Sequence, residues 1–204
     1  METPGPGERS ETIRGAAILA GVGLAVLAGG IVNFVLCVLS PYHFDAVEPG
    51  VLYRSGQLGW RDFARLRDRA GIRTIIDLCS EKRGTREALE ERAFARASGV
   101  RHVHIPVPGG MVGAGAEIDR FLEVLDDPGN RPVLVHCWKG VKRTGVMVAI
   151  YKMEYRGIDA ARALAELPAF GRPLEEFSET ERACVAGYVT RAARARQAGQ
   201  ATPR

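Results

Sequence analysis

Val133-Leu-Val-His-Cys-Trp-Lys-Gly-Val-Lys-Arg-Thr-Gly145 is the stretch on which the reading of this chain turns. A short β-branched run ends in His136-Cys137, five residues follow, and Arg143-Thr144-Gly145 opens an apolar pattern of helical period. That order predicts a buried strand, a tight loop and a helix N-terminus. So short a connection has to curl. Its backbone N–H groups then converge on one point, and the helix end adds partial positive charge there. The result is a cradle for a phosphate-sized anion.

Upstream, Val47 and Val51-Leu52-Tyr53 flank the turn signal Glu48-Pro49-Gly50 and predict a hairpin. A helix is expected over 60–70, closed by Gly71, then a strand over 72–78, and a second helix over 85–98 closed by Gly99. A strand over 100–107 and a helix over 115–126 follow, and Asp127-Pro-Gly-Asn130 turns the chain into the central strand, 132–135. Beyond the loop, helices are expected over 144–156 and 159–167. Ser178-Glu-Thr-Glu181 is a capping box opening a last helix that runs to about Arg196. Strands alternating with helices predict an α/β fold whose central, mostly parallel sheet is flanked by helices.

Composition sets the outer bounds. With 204 residues, 46% hydrophobic and 25% charged, the chain can bury a core and is not disordered as a whole. A net charge of +4, with Lys and Arg spread along the chain, does not mark a nucleic-acid binder. The cysteines Cys37, Cys79, Cys137 and Cys184 show no metal-type spacing and are read as thiols.

The expected organisation is a disordered N-terminus (1–14), a transmembrane helix (15–40), a catalytic domain (42–196) and a flexible tail (197–204). Gly15 to Ser40 carries no charge, and as a helix it would rise about 39 Å, beyond the roughly 30 Å of a bilayer core. A single-pass membrane localisation follows, with a cleaved signal peptide as the competing reading. Ala17, Gly21, Ala25 and Gly29 form a small-residue ladder through which two copies could pair. Arg9 and Arg14 precede the run and favour an external catalytic domain, though the side of the membrane stays open.

The loop also carries chemistry. The field that holds a phosphate favours a thiolate, which makes Cys137 a nucleophile. Arg143 offers a planar fork for two phosphate oxygens. Thr144 can donate its hydroxyl to the sulfur as it leaves, and His136 fixes the loop through hydrogen bonds. The backbone from Trp138 through Gly140 and Val141 to Arg143 would bind the phosphate. Lys139 and Lys142 make the loop cationic.

These residues resemble the HC-x5-R-S/T-G signature of cysteine-dependent tyrosine and dual-specificity phosphatases. Tyr53-Arg-Ser-Gly-Gln57, Thr74-Ile-Ile-Asp-Leu78 and His102-Val-His-Ile-Pro106 extend the resemblance over about 44–190, to the compact atypical dual-specificity members, especially bacterial ones. The resemblance implies a phosphocysteine intermediate on Cys137, Arg143 as clamp, no metal or other cofactor, and phosphorylated proteins as substrates. Family members acting on inositol phosphates or phospholipids often carry Lys in this loop, so phosphoinositides, inositol phosphates or phosphatidylglycerophosphate are the alternative. A phosphate-binding pseudophosphatase is a further alternative, and a rhodanese-like sulfur transferase a distant one.

One departure stands out. The family places an aspartate general acid some thirty residues before the cysteine, and this chain has Pro106-Val-Pro-Gly-Gly110 there. Glu117 is the first replacement, ahead of Asp119, Asp77 and Glu81. Cys79 matches a second cysteine that in some members forms a disulfide with the nucleophile. Arg54 is a possible substrate contact by the same resemblance, and Pro173-Leu-Glu-Glu-Phe177 is a further loop that could reach the site, read chiefly as a solvated turn.

Overall fold

The computed structural model describes residues 21–26, 28–29, 41–80, 85–108 and 115–200. The chain divides into two units, Met1–Ser40 and Pro41–Arg204.

In the first unit the described residues are helical and exposed. The rest of the expected span 15–40, and the expected disordered segment 1–14, lie outside the described residues. Among the described residues no helix is long and apolar enough to cross a membrane. This corrects the expected transmembrane helix and the single-pass localisation; pairing of copies through the run stays an expectation. The charge-free run is long enough, but its sequence holds five glycines, Gly15, Gly21, Gly23, Gly29 and Gly30. Each glycine costs a helix about 1 kcal/mol relative to alanine, a cost that length and hydropathy alone leave out.

The second unit carries a five-stranded sheet. Its strands are β1 (Asp45–Glu48), β2 (Leu52–Ser55), β3 (Thr74–Cys79), β4 (Arg101–Val107) and β5 (Val133–His136), in the spatial order β1-β2-β5-β3-β4. The hairpin pair β1–β2 is antiparallel and the other three pairs are parallel, so the sheet is mixed. Helices α1 (Trp60–Ala70), α2 (Arg86–Ser98), α3 (Gly115–Asp126) and α4 (Lys142–Arg156) are followed by α5 (Ala160–Ala165), α6 (Glu179–Ala186) and α7 (Arg191–Gln200).

Strand parity sorts the core into two layers. Val133, Val135 and Ile76 pack with Phe121 and Leu122 of α3 and with Met147 and Ile150 of α4. Leu134 and Ile75, on the opposite face, pack with Phe63 of α1 and Phe94 of α2. β5 is buried on both faces, as its apolar run predicts.

The last helix departs from expectation. The capping box at Ser178 is present, but α6 ends at Gly187 and α7 begins at Arg191. The backbone N–H of Gly187 donates to the Ala183 carbonyl at 2.9 Å and that of Tyr188 to the Val185 carbonyl at 3.4 Å, closing the first helix, while the Thr190 hydroxyl accepts from Ala193 N at 3.3 Å and starts the second. α7 therefore extends to residue 200, past the expected end.

Candidate active site

Ser55, His136 and Asp77 end their strands level with one another, because β2 and β3 flank β5 in matching register (Ser55↔His136, Asp77↔His136). Loops leaving the carboxyl ends of parallel strands form the usual crevice of such sheets. The loop from Cys137 leaves here. The Gly140 N–H donates to Cys137 Sγ at 3.2 Å. No side chain caps α4, so its first amides remain available to an anion.

Gly140 fixes the curl of the loop. Its φ is +69°, and a Cβ there would lie 2.4 Å from Gly56 N and from the backbone of Ser55. Behind it Arg54, 5% exposed, donates from Nη2 to the Gly140 carbonyl at 2.8 Å and to that of Val141 at 3.4 Å. Arg54 thus holds the Gly140 and Val141 carbonyls on the buried side of the loop. It supports the loop from behind, which corrects the expectation of a substrate contact. Burial pushes the Arg54 guanidinium down from its ordinary range, opposed by the nearby Asp45 and Cys137. Phe170 lies under it at 5.2 Å, His43 stacks on Phe170 at 4.5 Å, and His43 Nδ1 is 2.7 Å from the Lys139 carbonyl. Both His43 and Phe170 have positive φ, the kind of strain that packing must hold in place.

His136 shares the parity of Leu134 and faces α1 and α2. There Glu91, 1% exposed, accepts from His136 Nε2 and from His102 Nε2, each at 2.9 Å on Oε1, and from Gln57 Nε2 at 2.7 Å on Oε2. Burial opposes a charged His136, yet the charge and hydrogen bond of Glu91, with Asp77 and Cys137, outweigh it and raise the imidazole to about 9. Burial likewise opposes ionised Glu91, but its histidine and glutamine partners hold it well below the usual carboxylate range. Asp77 Oδ1 accepts from Cys79 N at 2.8 Å, and His104 Nε2 lies 2.7 Å from the Cys79 carbonyl.

A cavity of about 290 Å³ opens in front of the loop, lined by Cys137, Trp138, Lys139, Val141, Lys142 and Arg143, and by Arg172, Glu176 and Glu181. Arg143 anchors Nη1 on the carbonyls of Val107 at 3.1 Å and Leu78 at 3.3 Å, the ends of β4 and β3. The Thr144 hydroxyl is buried without a hydrogen-bond partner. A buried, unmatched hydroxyl costs about 1–3 kcal/mol, so its retention fits a donor reserved for a group that is not always present. Glu176, from the segment read chiefly as a solvated turn, and Arg172 just before that segment lie 2.9 Å apart at the rim. Glu181 joins them from the capping box, accepting from Ser178 N at 2.8 Å.

Glu117 is not among the lining residues; its Oε2 is buried in the first turn of α3 without a partner. Asp119 faces Arg194 at 3.4 Å, and Glu81 lies outside the described residues. Cys79 and Cys137 are separate buried thiols, and burial together with Asp77 pushes Cys79 up. Cys184 is half-buried in α6, and Cys37 lies outside the described residues. Among the described residues two trios, the buried Asp77/Cys79/His136 and Asp77/Glu91/His102 with a half-buried His102, have ligand-type atoms within 4.8 Å of one another. In both, the histidines are already bonded to Glu91.

Comparison with known proteins agrees with this geometry. A family profile described as "DSP-PTPase phosphatase fused to NAD+ Kinase" matches residues 44–183, and the chain belongs to that family. The dual specificity protein phosphatase TpbA of Pseudomonas aeruginosa is 26% identical over 140 residues, 65% of this chain and 60% of that protein. The inositol diphosphatase DSP1 of rice, Oryza sativa, is 35% identical over 114 residues, 53% and 48% of the two. The chain thus spans less than two thirds of either curated relative. The catalytic core of the PP-IP phosphatase SIW14 from Saccharomyces cerevisiae, solved with citrate, superposes with a TM-score of 0.61 at 23% identity, covering 81% of this chain and 97% of that one.

Proposed function

We propose that this domain hydrolyses phosphate groups through a phosphocysteine on Cys137, and that its preferred substrate is a small, multiply phosphorylated anion carrying a diphosphate. The Cys137 thiolate attacks phosphorus, an S–P bond forms, and the P–O bond to the leaving group breaks. Water then attacks the phosphocysteine, and the electron pair of the S–P bond returns to sulfur, which the Thr144 hydroxyl stabilises. Arg143 and the loop amides hold the equatorial oxygens through both steps.

The observation that carries the substrate reading is the convergence of Lys139, Lys142, Arg143 and Arg172 on one cavity with Cys137. Neither lysine is paired with a carboxylate among the described residues. A second feature agrees: Pro106-Val-Pro-Gly-Gly110 holds no carboxylate where the family keeps its acid. Loss of an acid costs about 100- to 10,000-fold where a poor leaving group must be protonated. A phosphate leaving from an anhydride needs that help least. The similarity to inositol diphosphatase DSP1 supports this reading, and the similarity to TpbA supports phosphoprotein as the second.

Phosphate release from a diphosphoinositol polyphosphate, a phosphotyrosine peptide and p-nitrophenyl phosphate tests it. The diphosphate is expected to turn over at least tenfold faster in kcat/KM than the peptide, and Cys137→Ser to abolish all three. A faster peptide would favour the second reading. Full turnover in Cys137→Ser would remove the mechanism, and vanadate binding without turnover would leave a phosphate-binding module.

A further inference from the structure

The buried carboxylate of Glu91 has no place in the scheme above, although it sits directly behind the nucleophile. α2 buries Ala88, Glu91, Phe94 and Ala95 on one stripe, so Glu91 occupies a core position otherwise given to apolar residues. An ion there is retained only where its partners offset several kcal/mol of lost hydration. Three donors do so, each from a different element: His136 at the end of β5, His102 from β4 and Gln57 from the segment after β2. Gln57 also reaches the loop, since its backbone N–H donates to the Trp138 carbonyl at 3.1 Å. One carboxylate therefore grips the residue before Cys137 and the segment that holds the residue after it.

We propose that Glu91 is a positioning residue for the nucleophile: bound at once by His136, His102 and Gln57, it fixes the imidazole behind Cys137 and keeps a positive charge there. A glutamine could not do this, because its single carbonyl oxygen cannot replace a carboxylate that accepts three donors. The inference rests on Cys137 being the reactive thiol. Other charged groups face His136 as well. From β3 these are Asp77, with Oδ1 4.0 Å from Nε2, and the Cys79 thiol beside it. From β4, His104 stands 3.8 Å from Asp77 Oδ2, and His102 shares the Glu91 oxygen. On the far side of the loop, Arg54 from β2 and Arg143 from α4 are cations, and neither bonds His136. α1 contributes only the Phe63 ring, edge-on at 6.1 Å. Of the two carboxylates, Glu91 alone is within hydrogen-bond distance.

The test is the pH dependence of Cys137 alkylation by iodoacetamide, followed by peptide mass, in the full chain and in Glu91→Gln. This readout needs no turnover. An opposite charge within a few ångströms typically moves a titration by about 1–3 pH units. The midpoint of alkylation in Glu91→Gln is therefore expected at least one unit higher, with the acid limb of kcat/KM for p-nitrophenyl phosphate moving alongside and the rate recovering as pH rises. A uniform loss of rate with an unmoved midpoint would reduce Glu91 to a packing role and overturn the proposal. Should Glu91→Gln fail to fold, Glu91→Asp keeps the charge but withdraws it by one methylene. A smaller upward shift supports the proposal, and none overturns it. Absence of turnover in the parent chain, with a shifted alkylation midpoint, would count against the proposed function and leave this inference standing.

Discussion

Behind the phosphate loop and in front of it the charges are arranged on different principles. Arg54, His136, Glu91 and Asp77 lie behind, buried; the first three are bonded to partners from other elements, and Asp77 holds the backbone N–H of Cys79 in its own strand. Lys139, Lys142, Arg172 and Glu176 stand in front at a rim open to water, where the one pair among them, Arg172–Glu176, has side chains 44% and 40% exposed. In a dry interior an ion's position is over-determined and its loss is expensive; at a wet rim, screening leaves each charge worth little alone. On the proposed function, the rear would set the geometry and charge of the nucleophile and the rim which anion stays.

The contrast yields graded expectations. Gly140→Ala should give the largest effect, because the new Cβ meets backbone at 2.4 Å and the left-handed φ costs a further 1–2 kcal/mol or so. A loss of about 100-fold or more in kcat/KM on p-nitrophenyl phosphate is expected, with circular dichroism confirming a folded domain. A rate within a few-fold of the parent would show that the rear does not control the loop.

Next comes the pH profile of stability. The raised His136 contributes fully below its ordinary value of 6.5, and that contribution is lost as pH climbs through about 9. Glu91, held low, contributes above its ordinary 4.5 and loses that contribution as pH falls. Tm should therefore decline from pH 6.5 to 9, and Glu91→Gln should flatten the decline. An equal slope in both proteins would break the assignment.

The smallest effect is expected at the rim. Arg172→Gln should raise KM for a diphosphoinositol polyphosphate about three- to tenfold at low salt, with the difference fading as ionic strength rises. Little change is expected on p-nitrophenyl phosphate. An equal loss on both substrates would place Arg172 with the rear group.

Much of this architecture was legible in the chain. The β-branched run, the five-residue gap and the helical pattern after Arg143 carry the central strand, the loop and α4, because each depends on local periodicity. Glu91 escaped notice because α2 is rich in Arg, Glu and Ala, and a glutamate there passes for a solvated face. Its signal was the stripe Ala88, Glu91, Ala95, where an acid interrupts the buried side. Arg54 was misread because resemblance supplied its neighbourhood but not the direction of its side chain. The rim residues Arg172 and Glu176 depend on a turn at Phe170 and Gly171, both with positive φ, and the non-glycine one could not be read from composition. The uncharged run before residue 41 showed the opposite failure, hydropathy without, among the described residues, a helix long enough to match it.

His43 reaches Lys139 across 96 positions of chain, and Arg54 reaches Gly140 across 86. Contacts of such long range form late, after local helices and hairpins, since the entropy of closing the intervening chain must be met first. A growing polypeptide that has just completed Cys137 has yet to make the Phe170 that backs Arg54. The residues behind Cys137 are thus made before it, while the Phe170 packing and the Arg172–Glu176 rim can be added only after it.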